Sequence, residues 1–427
     1  MKSKYCNAKN IKAELDGYVM GQEQGTKMIA MAIAQHLLKS QNPSQQPYRR
    51  TDNVLLIGPT GCGKTETFRV LQRLETDFEC PVLMFNILDY AATKTWQGDS
   101  ITEIFTKIFQ EAGKIFDETN DGEVTPKERK DKVVEIANRA IILFDEIDKI
   151  ALDGDGKARQ FLKEYQSNLL KIVEGNTYDV GTFTYDNGSD EPFEMENIVL
   201  DTTNMMFILL GAFDGIQNIT LRRLYQEKLS KNPTLFHTVY QDTRIGFMAP
   251  QESHETQEPK TEEYTYEQLI PTQEDIIQYG FMRELVGRIA VRTVYKPLSE
   301  DALVNIMLHA KTSAYREWKN NFEQNGHGLK CDRAALREIA QISIKRGTGA
   351  RGLSNVFSEL LMPTLYELSG DTRFIRCLLR GKEIRAHKPP LLHDRTEQQR
   401  KLFHKYWENV SKKIRKRKET QPKSENP

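Results

Sequence analysis

Val54-Leu55-Leu56-Ile57-Gly58-Pro59-Thr60-Gly61-Cys62-Gly63-Lys64-Thr65 decides how this 427-residue chain is read. Four apolar residues ending on a glycine predict a short buried strand, and Thr65 to Leu74 then predicts a helix. Between them, Gly58 to Thr65 satisfies G-x-x-x-x-G-K-[ST] in the strand, loop and helix setting that this motif needs. Its glycines let backbone N–H groups turn inward around phosphates, and the helix N-terminus adds partial positive charge. Lys64 is placed to reach the β and γ phosphates and Thr65 to hold Mg²⁺, with Glu66 next in the first helical turn. A glycine-rich turn with an incidental lysine would not need that flanking strand and helix.

Working outward, Ala140 to Phe144, Met206 to Leu210 and the weaker Val82 to Phe85 repeat the buried-strand signature. Four apolar runs separated by helical patterns predict an α/β fold, a mainly parallel sheet with helices on both faces. Ahead of them Met28, Ile29, Ala32, Ile33 and Leu37 have helical spacing, followed by a polar linker from Gln41 to Arg50. From Pro297 onward amphipathic helices dominate, as in Glu300 to Trp318 and Ala334 to Ile344, so a smaller, mostly helical second domain is expected. The expected division is a nucleotide-binding domain over 1–296, a small helical domain over 297–388 and a basic tail over 389–427. Asp117 to Asp131 is charged and Gln251 to Tyr264 has no aliphatic residue, which predicts two exposed loops.

Sixty Lys+Arg balance sixty Asp+Glu, which argues against a surface built throughout for nucleic acid. The five cysteines are odd in number, far apart and without a Cys-x-x-Cys pair. Neither a disulfide framework nor a zinc site is expected, and a reducing cytoplasm fits. The longest apolar run, Met205 to Phe213, is far short of the roughly 18 to 20 residues that span a bilayer, and the first residues lack a signal-peptide apolar region.

Ile141-Ile142-Leu143-Phe144-Asp145-Glu146 adds an apolar strand delivering two carboxylates at its end, where open α/β sheets bind ligands. Asp145 suits orientation of the metal, directly or through water. Glu146 suits a general base that polarises an attacking water, which distinguishes hydrolysis of ATP from transfer to a bound acceptor.

With Asp145-Glu146-Ile147-Asp148-Lys149-Ile150, the stretches Leu15 to Gln24 (LDGYVMGQEQ), Leu170 to Gly175 (LKIVEG), Gly211-Ala212-Phe213 and Gly347 to Leu353 (GTGARGL) closely resemble the ClpX family of AAA+ protein unfoldases. The HslU family is more distant. The resemblance covers roughly residues 11 to 370 in order, and it implies an AAA+ homohexameric ring that uses Mg·ATP to pull proteins through an axial pore. In that likeness Val19 and Met20 form the apolar wall against adenine, unless Tyr18 to Gln22 merely begin a helix. Arg288, within Glu284-Leu285-Val286-Gly287-Arg288, matches the arginine finger toward a neighbouring subunit's nucleotide. Arg351 matches the second sensor, and a guanidinium suits both positions because it is always charged and forks onto phosphate oxygens.

Trp96 and Gln97 align with the aromatic-aliphatic grip of the pore loop; Trp96 keeps the aromatic, whereas Gln97 loses apolar area. Trp96 as a core residue is the alternative. Ile245, Gly246 and Phe247 match the tripeptide that docks on a ClpP-like peptidase, or else form a turn tucked into their own core. Two family features are absent: the four-cysteine zinc domain, and a polar first sensor, because Leu209 and Leu210 stand at that strand end. A remodeller that dismantles protein or protein–nucleic acid complexes without a peptidase is the alternative function.

Leu391 to Pro427 holds eleven Lys+Arg against five Asp+Glu, a local net of +6. Leu402, Phe403, Tyr406, Trp407, Val410 and Ile414 share one helical face, which suits nucleic acid, another anionic partner or a capping helix. Cys62 reads either as an oxidation-sensitive brake or as a tolerated small residue. Where the resembled family has a basic pore-entrance loop, Tyr185 to Pro192 here is acidic. Like-charge repulsion then predicts that a reporter with an acidic tail is processed more slowly than the same reporter with a neutral or basic tail. Preference for the acidic tail in a parallel comparison would reverse that reading.

Overall fold

The computed structural model describes residues 7–41, 53–91, 99–152, 157–185, 194–231, 265 and 267–402. Two compact units emerge: one holds the chain to Asp16, Gln22–Pro59 and Gly63–Lys296, the other Gly17–Gly21, Thr60–Cys62 and the chain from Pro297. The first unit runs α1 (Ala8–Asp16), α2 (Glu23–Gln41), β1 (Val54–Ile57), α3 (Lys64–Gln72), α4 (Glu75–Phe78), β2 (Val82–Asn86), α5 (Ile87–Ala91), α6 (Asp99–Thr119) and α7 (Pro126–Ala137). It continues with β3 (Ile141–Asp145), α8 (Lys157–Glu174), β4 (Thr177–Tyr185), β5 (Glu194–Asp201), β6 (Met206–Gly211), α9 (Ile216–Lys231), α10 (Gln273–Tyr279), α11 (Arg283–Val286) and β7 (Val291–Val294).

All four apolar runs are strands of one parallel sheet, ordered β2-β3-β6-β1-β7. Every residue of β1 and β6 is buried, as expected of parallel strands covered on both faces. Phe144 and Phe207 stack on neighbouring strands with centroids 6.2 Å apart. The fifth strand, β7, escapes sequence reading because Arg292 and Thr293 interrupt its apolar pattern. Buried Asn53 holds the head of β1: its amide donates to Arg288 O (3.1 Å) and its Oδ1 accepts from Phe207 N (3.0 Å).

An antiparallel hairpin, β4 with β5, also lay beyond the sequence reading. Tyr178 stacks on Phe105 of α6 at 4.2 Å, and buried Lys130 of α7 pairs with Glu196 of β5. The region from Asp117 to Asp131, expected as a loop, instead includes the end of α6 and the start of α7. Thr125 and Glu128 form a capping box there, so a charged stretch still starts a helix. Farther on, buried Asp275 accepts from Arg223 Nε at 3.0 Å and from the Thr220 hydroxyl at 3.2 Å, which clamps α9 to α10.

The second unit contains α12 (Glu300–His309), α13 (Ala314–Gln324), β8 (Gly328–Cys331), α14 (Arg333–Lys345), α15 (Gly349–Leu368), β9 (Phe374–Leu379), α16 (Gly381–Arg385) and β10 (Leu391–Asp394). The stretch expected as one helix to Trp318 is two, because Ser313 accepts from Arg316 N and caps a second start. Trp318, Phe322, Leu329, Leu336, Val356 and Phe357 build its core. Besides helices this unit carries a three-stranded sheet ordered β10-β9-β8. Exposed residues such as Lys330 and Arg376 hide those strands in the sequence. Since β10 pairs antiparallel with β9, the boundary expected at residue 388 falls ahead of the last strand of this sheet. Among the described residues no helix is long and apolar enough to cross a membrane.

Glu75 opens α4, partly buried, with its carboxylate accepting from Val82 N at 3.4 Å. Burial, reinforced by Glu111 and Glu118, raises its pKa from 4.5 to about 7. The folded state therefore keeps a proton that the unfolded chain releases earlier, so this contribution is complete below about 4.5 and is lost as pH rises through about 7. Urea midpoints measured at pH 5 and pH 8 should fall with rising pH, and Glu75→Gln should reduce that fall. An unchanged slope in the variant would assign the effect to other groups.

Candidate functional site

β1 ends at Ile57, and the loop leaves it with Gly58 N donating to Gly211 O of the adjacent β6 at 3.1 Å. Gly61 and Gly63 have φ of +76° and +108°, the left-handed region that a side chain resists. Gly63 then caps α3, turning the first N–H groups of that helix toward the loop. Lys64 is partly buried, and its ammonium donates to the carbonyls of Gly58 and, at 3.0 Å, Pro59. Thr65 and Glu66 follow in the first turn of α3; Glu66 pairs with Arg69 at 3.2 Å.

The two carboxylates stand at the same end of the sheet. Asp145 closes β3 in register with Asn86 of β2, and its Oδ1 accepts from Glu146 N at 2.8 Å. Glu146 adopts φ of +59°, rare for a residue with a side chain, and its Oε2 accepts from Asn86 Nδ2 at 3.1 Å. A neutral amide on one carboxylate oxygen fixes the group's direction. Asn86 was not found by sequence reading, and only its place just past the apolar run Val82 to Phe85 marks it.

Leu209 and Leu210 are buried within β6, as their sequence implies. A polar contact to this strand end comes from another element: Asp148 Oδ1 accepts from Ala212 N at 3.1 Å. Lys149 pairs with the same carboxylate at 3.1 Å. That hydrogen bond, with the charges of Asp148, Asp214 and Glu146, raises the Lys149 pKa. Asp148 lies in the sequence stretch quoted above, and its spacing gave no reason to assign it a contact.

Arg288 is not brought to these groups. It precedes β7, whose first residue is level with the first residue of β1, so it sits at the sheet end opposite Gly58. Its exposed guanidinium pairs with Glu174 through Nε (3.1 Å) and a terminal nitrogen (2.6 Å). Val19, Met20, Thr60, Gly61, Cys62 and Arg351 belong to the second unit. There Val19 is buried, Met20 is partly buried, and the Tyr18 ring lies 4.8 Å from the Lys311 ammonium. Cys62 is buried and outside any disulfide, and Arg351 is exposed in the first turn of α15. Trp96, Gln97, Asp186 to Pro192, Ile245, Gly246, Phe247 and the tail from Phe403 lie outside the described residues.

Residues 49–292 match the family model described as AAA domain (Cdc48 subfamily). The chain belongs to the AAA family, in its ClpX-like group. A relative from Borrelia duttonii (strain Ly), named ATP-dependent Clp protease ATP-binding subunit ClpX, is 30% identical over 394 residues. That alignment takes in 90% of this chain and 80% of the relative. The protein of the same name from Treponema denticola is 30% identical over 366 residues, covering 84% of this chain and 76% of its own length. As a member of this family the chain is a nucleotide-binding ATPase.

Gly211 leaves no room for a side chain at this AAA site. A Cβ there would stand 2.6 Å from the Phe213 ring and 2.7 Å from Asp148 Oδ1. Gly211→Ala should therefore cost about 1–3 kcal/mol in urea unfolding, as overpacking does, and slow ATP turnover. Wild-type stability in that variant would mean that ring and carboxylate move aside freely.

Proposed function

We propose that this chain is an ATP-dependent protein unfoldase and translocase that works as a homohexamer in the cytoplasm and feeds protein substrates to a ClpP-like peptidase. The observation that carries the reading is the gathering of the Gly58–Thr65 loop, Asp145 and Glu146 at one end of the parallel sheet. Similarity to relatives named as the ATP-binding subunit of a Clp protease, across both units, supports the protease-linked part of it.

In this reading the loop N–H groups and Lys64 bind the phosphates of ATP. Asp145 and the Thr65 hydroxyl are hard oxygen donors that fit Mg²⁺, and the ion would neutralise charge on those phosphates. Glu146, oriented by Asn86, accepts the proton of the attacking water. Arg288, at the sheet end opposite its own loop, serves a neighbouring subunit's nucleotide. Val19 and Met20 wall the adenine, and Arg351 reads the nucleotide from the small domain. That domain begins at residue 297 and extends through β10. Trp96 and Gln97 grip substrate, and Ile245, Gly246 and Phe247 dock the peptidase.

Degradation of fluorescently labelled casein by the purified chain, with and without ClpP, tests this directly. Breakdown should require both ATP and ClpP and should vanish in Lys64→Ala and Glu146→Gln, the latter still binding nucleotide. ATP hydrolysis without degradation would favour a remodeller that acts without a peptidase.

A further inference from the structure

Tyr295 has no exposed surface, yet it carries a hydroxyl into the interior of the first unit. A buried phenol needs a partner, and this one finds the Thr67 hydroxyl of α3 at 2.8 Å. Thr67 in turn points its hydroxyl at Gly63 O, 3.1 Å away. A hydroxyl has one proton, so with the Thr67 proton on Gly63 O, the Tyr295 O–H donates to Thr67. The order is Tyr295 to Thr67 to the Gly63 carbonyl.

That carbonyl shares one rigid peptide plane with the Lys64 N–H, and the two point in opposite directions. Holding one aims the other. Gly63 is also a residue whose left-handed φ of +108° leaves its backbone poorly confined by its own stereochemistry. The helical bond from Thr67 N to Gly63 O (2.9 Å) anchors the same oxygen, and the hydroxyl chain adds a second anchor from outside the helix.

Two further features show that the ring position is built. Tyr295 N donates to Ile57 O at 2.7 Å, continuing the β7–β1 pairing to the last residue before the loop. Gly25 lies in the first turn of α2, where glycine is a poor helix former, and a Cβ there would stand 2.4 Å from Tyr295 Cε1. The helix gives up a side chain where the ring passes.

We propose that Tyr295 is a positioning residue for the phosphate loop, acting through Thr67 to aim the Gly63–Lys64 peptide whose N–H faces the nucleotide. This rests on the reading of Gly58 to Thr65 as the nucleotide loop. It makes nucleotide affinity depend on a hydroxyl in β7's continuation, one residue before the first unit ends at Lys296.

The test uses the full chain, a ribose-labelled fluorescent ADP as probe, steady-state ATP hydrolysis and thermal unfolding. Tyr295→Phe should weaken probe binding about 3- to 10-fold, the range a single hydrogen bond supplies, with kcat changed less than twofold. Thr67→Val should do the same, the Tyr295→Phe/Thr67→Val double variant should be no worse than Thr67→Val alone, and Thr67→Ser should restore wild-type affinity. Gly25→Ala, which pushes on the ring without touching either hydroxyl, should weaken binding in the same direction. A Tyr295→Phe variant with unchanged probe affinity, whether or not its unfolding midpoint falls, overturns the proposal, and so do strictly additive effects of the two substitutions. Lys64→Ala separates the levels: retained probe binding there refutes the loop reading itself, whereas lost binding beside a wild-type Tyr295→Phe refutes only the role of Tyr295.

Discussion

The hydrogen bonding of β1 on both edges is the constraint on which the rest leans. Its four residues pair with β6 on one side and β7 on the other, with Asn53 bonding to both neighbours at the head of the strand. A strand fixed on two sides cannot slide, so the loop that leaves Ile57 starts from a fixed point and direction. Gly58 then meets Gly211, Tyr295 meets Ile57, and Thr67 meets Gly63, each contact inheriting its position from that pairing.

The two carboxylates reach the same end of the sheet by an independent route. β3 is separated from β1 by β6, so Asp145 and Glu146 are placed by the register of β2 and β3 rather than by the loop. β6 links the two halves: Gly211 accepts from the loop, and the next residue, Ala212, donates to Asp148 from the turn after β3. This explains why two buried leucines are tolerated at the end of β6. The polar contact there is supplied across the strand gap by a side chain from a different segment.

Periodicity made the sheet legible wherever burial was complete on both faces, since such strands are continuous apolar runs. It failed where burial was mixed. β7 and β8 alternate with charged residues, and the β4–β5 hairpin holds itself by pairing and by the Tyr178–Phe105 stack. The loop and the acidic strand end were legible because each is a contiguous motif. Asn86, Asp148, Thr67 and Tyr295 were not, because each matters through a partner 60 or more positions away, which no local spacing records.

The pair of Arg288 with Glu174 is half-exposed on both sides, and pairs of that kind are worth roughly 0–1 kcal/mol. Such a clasp is weak enough to be exchanged for another anion almost without penalty. Glu174 therefore holds the guanidinium at the rim of the domain with almost no stake in the fold, and added salt loosens that hold before any buried contact responds.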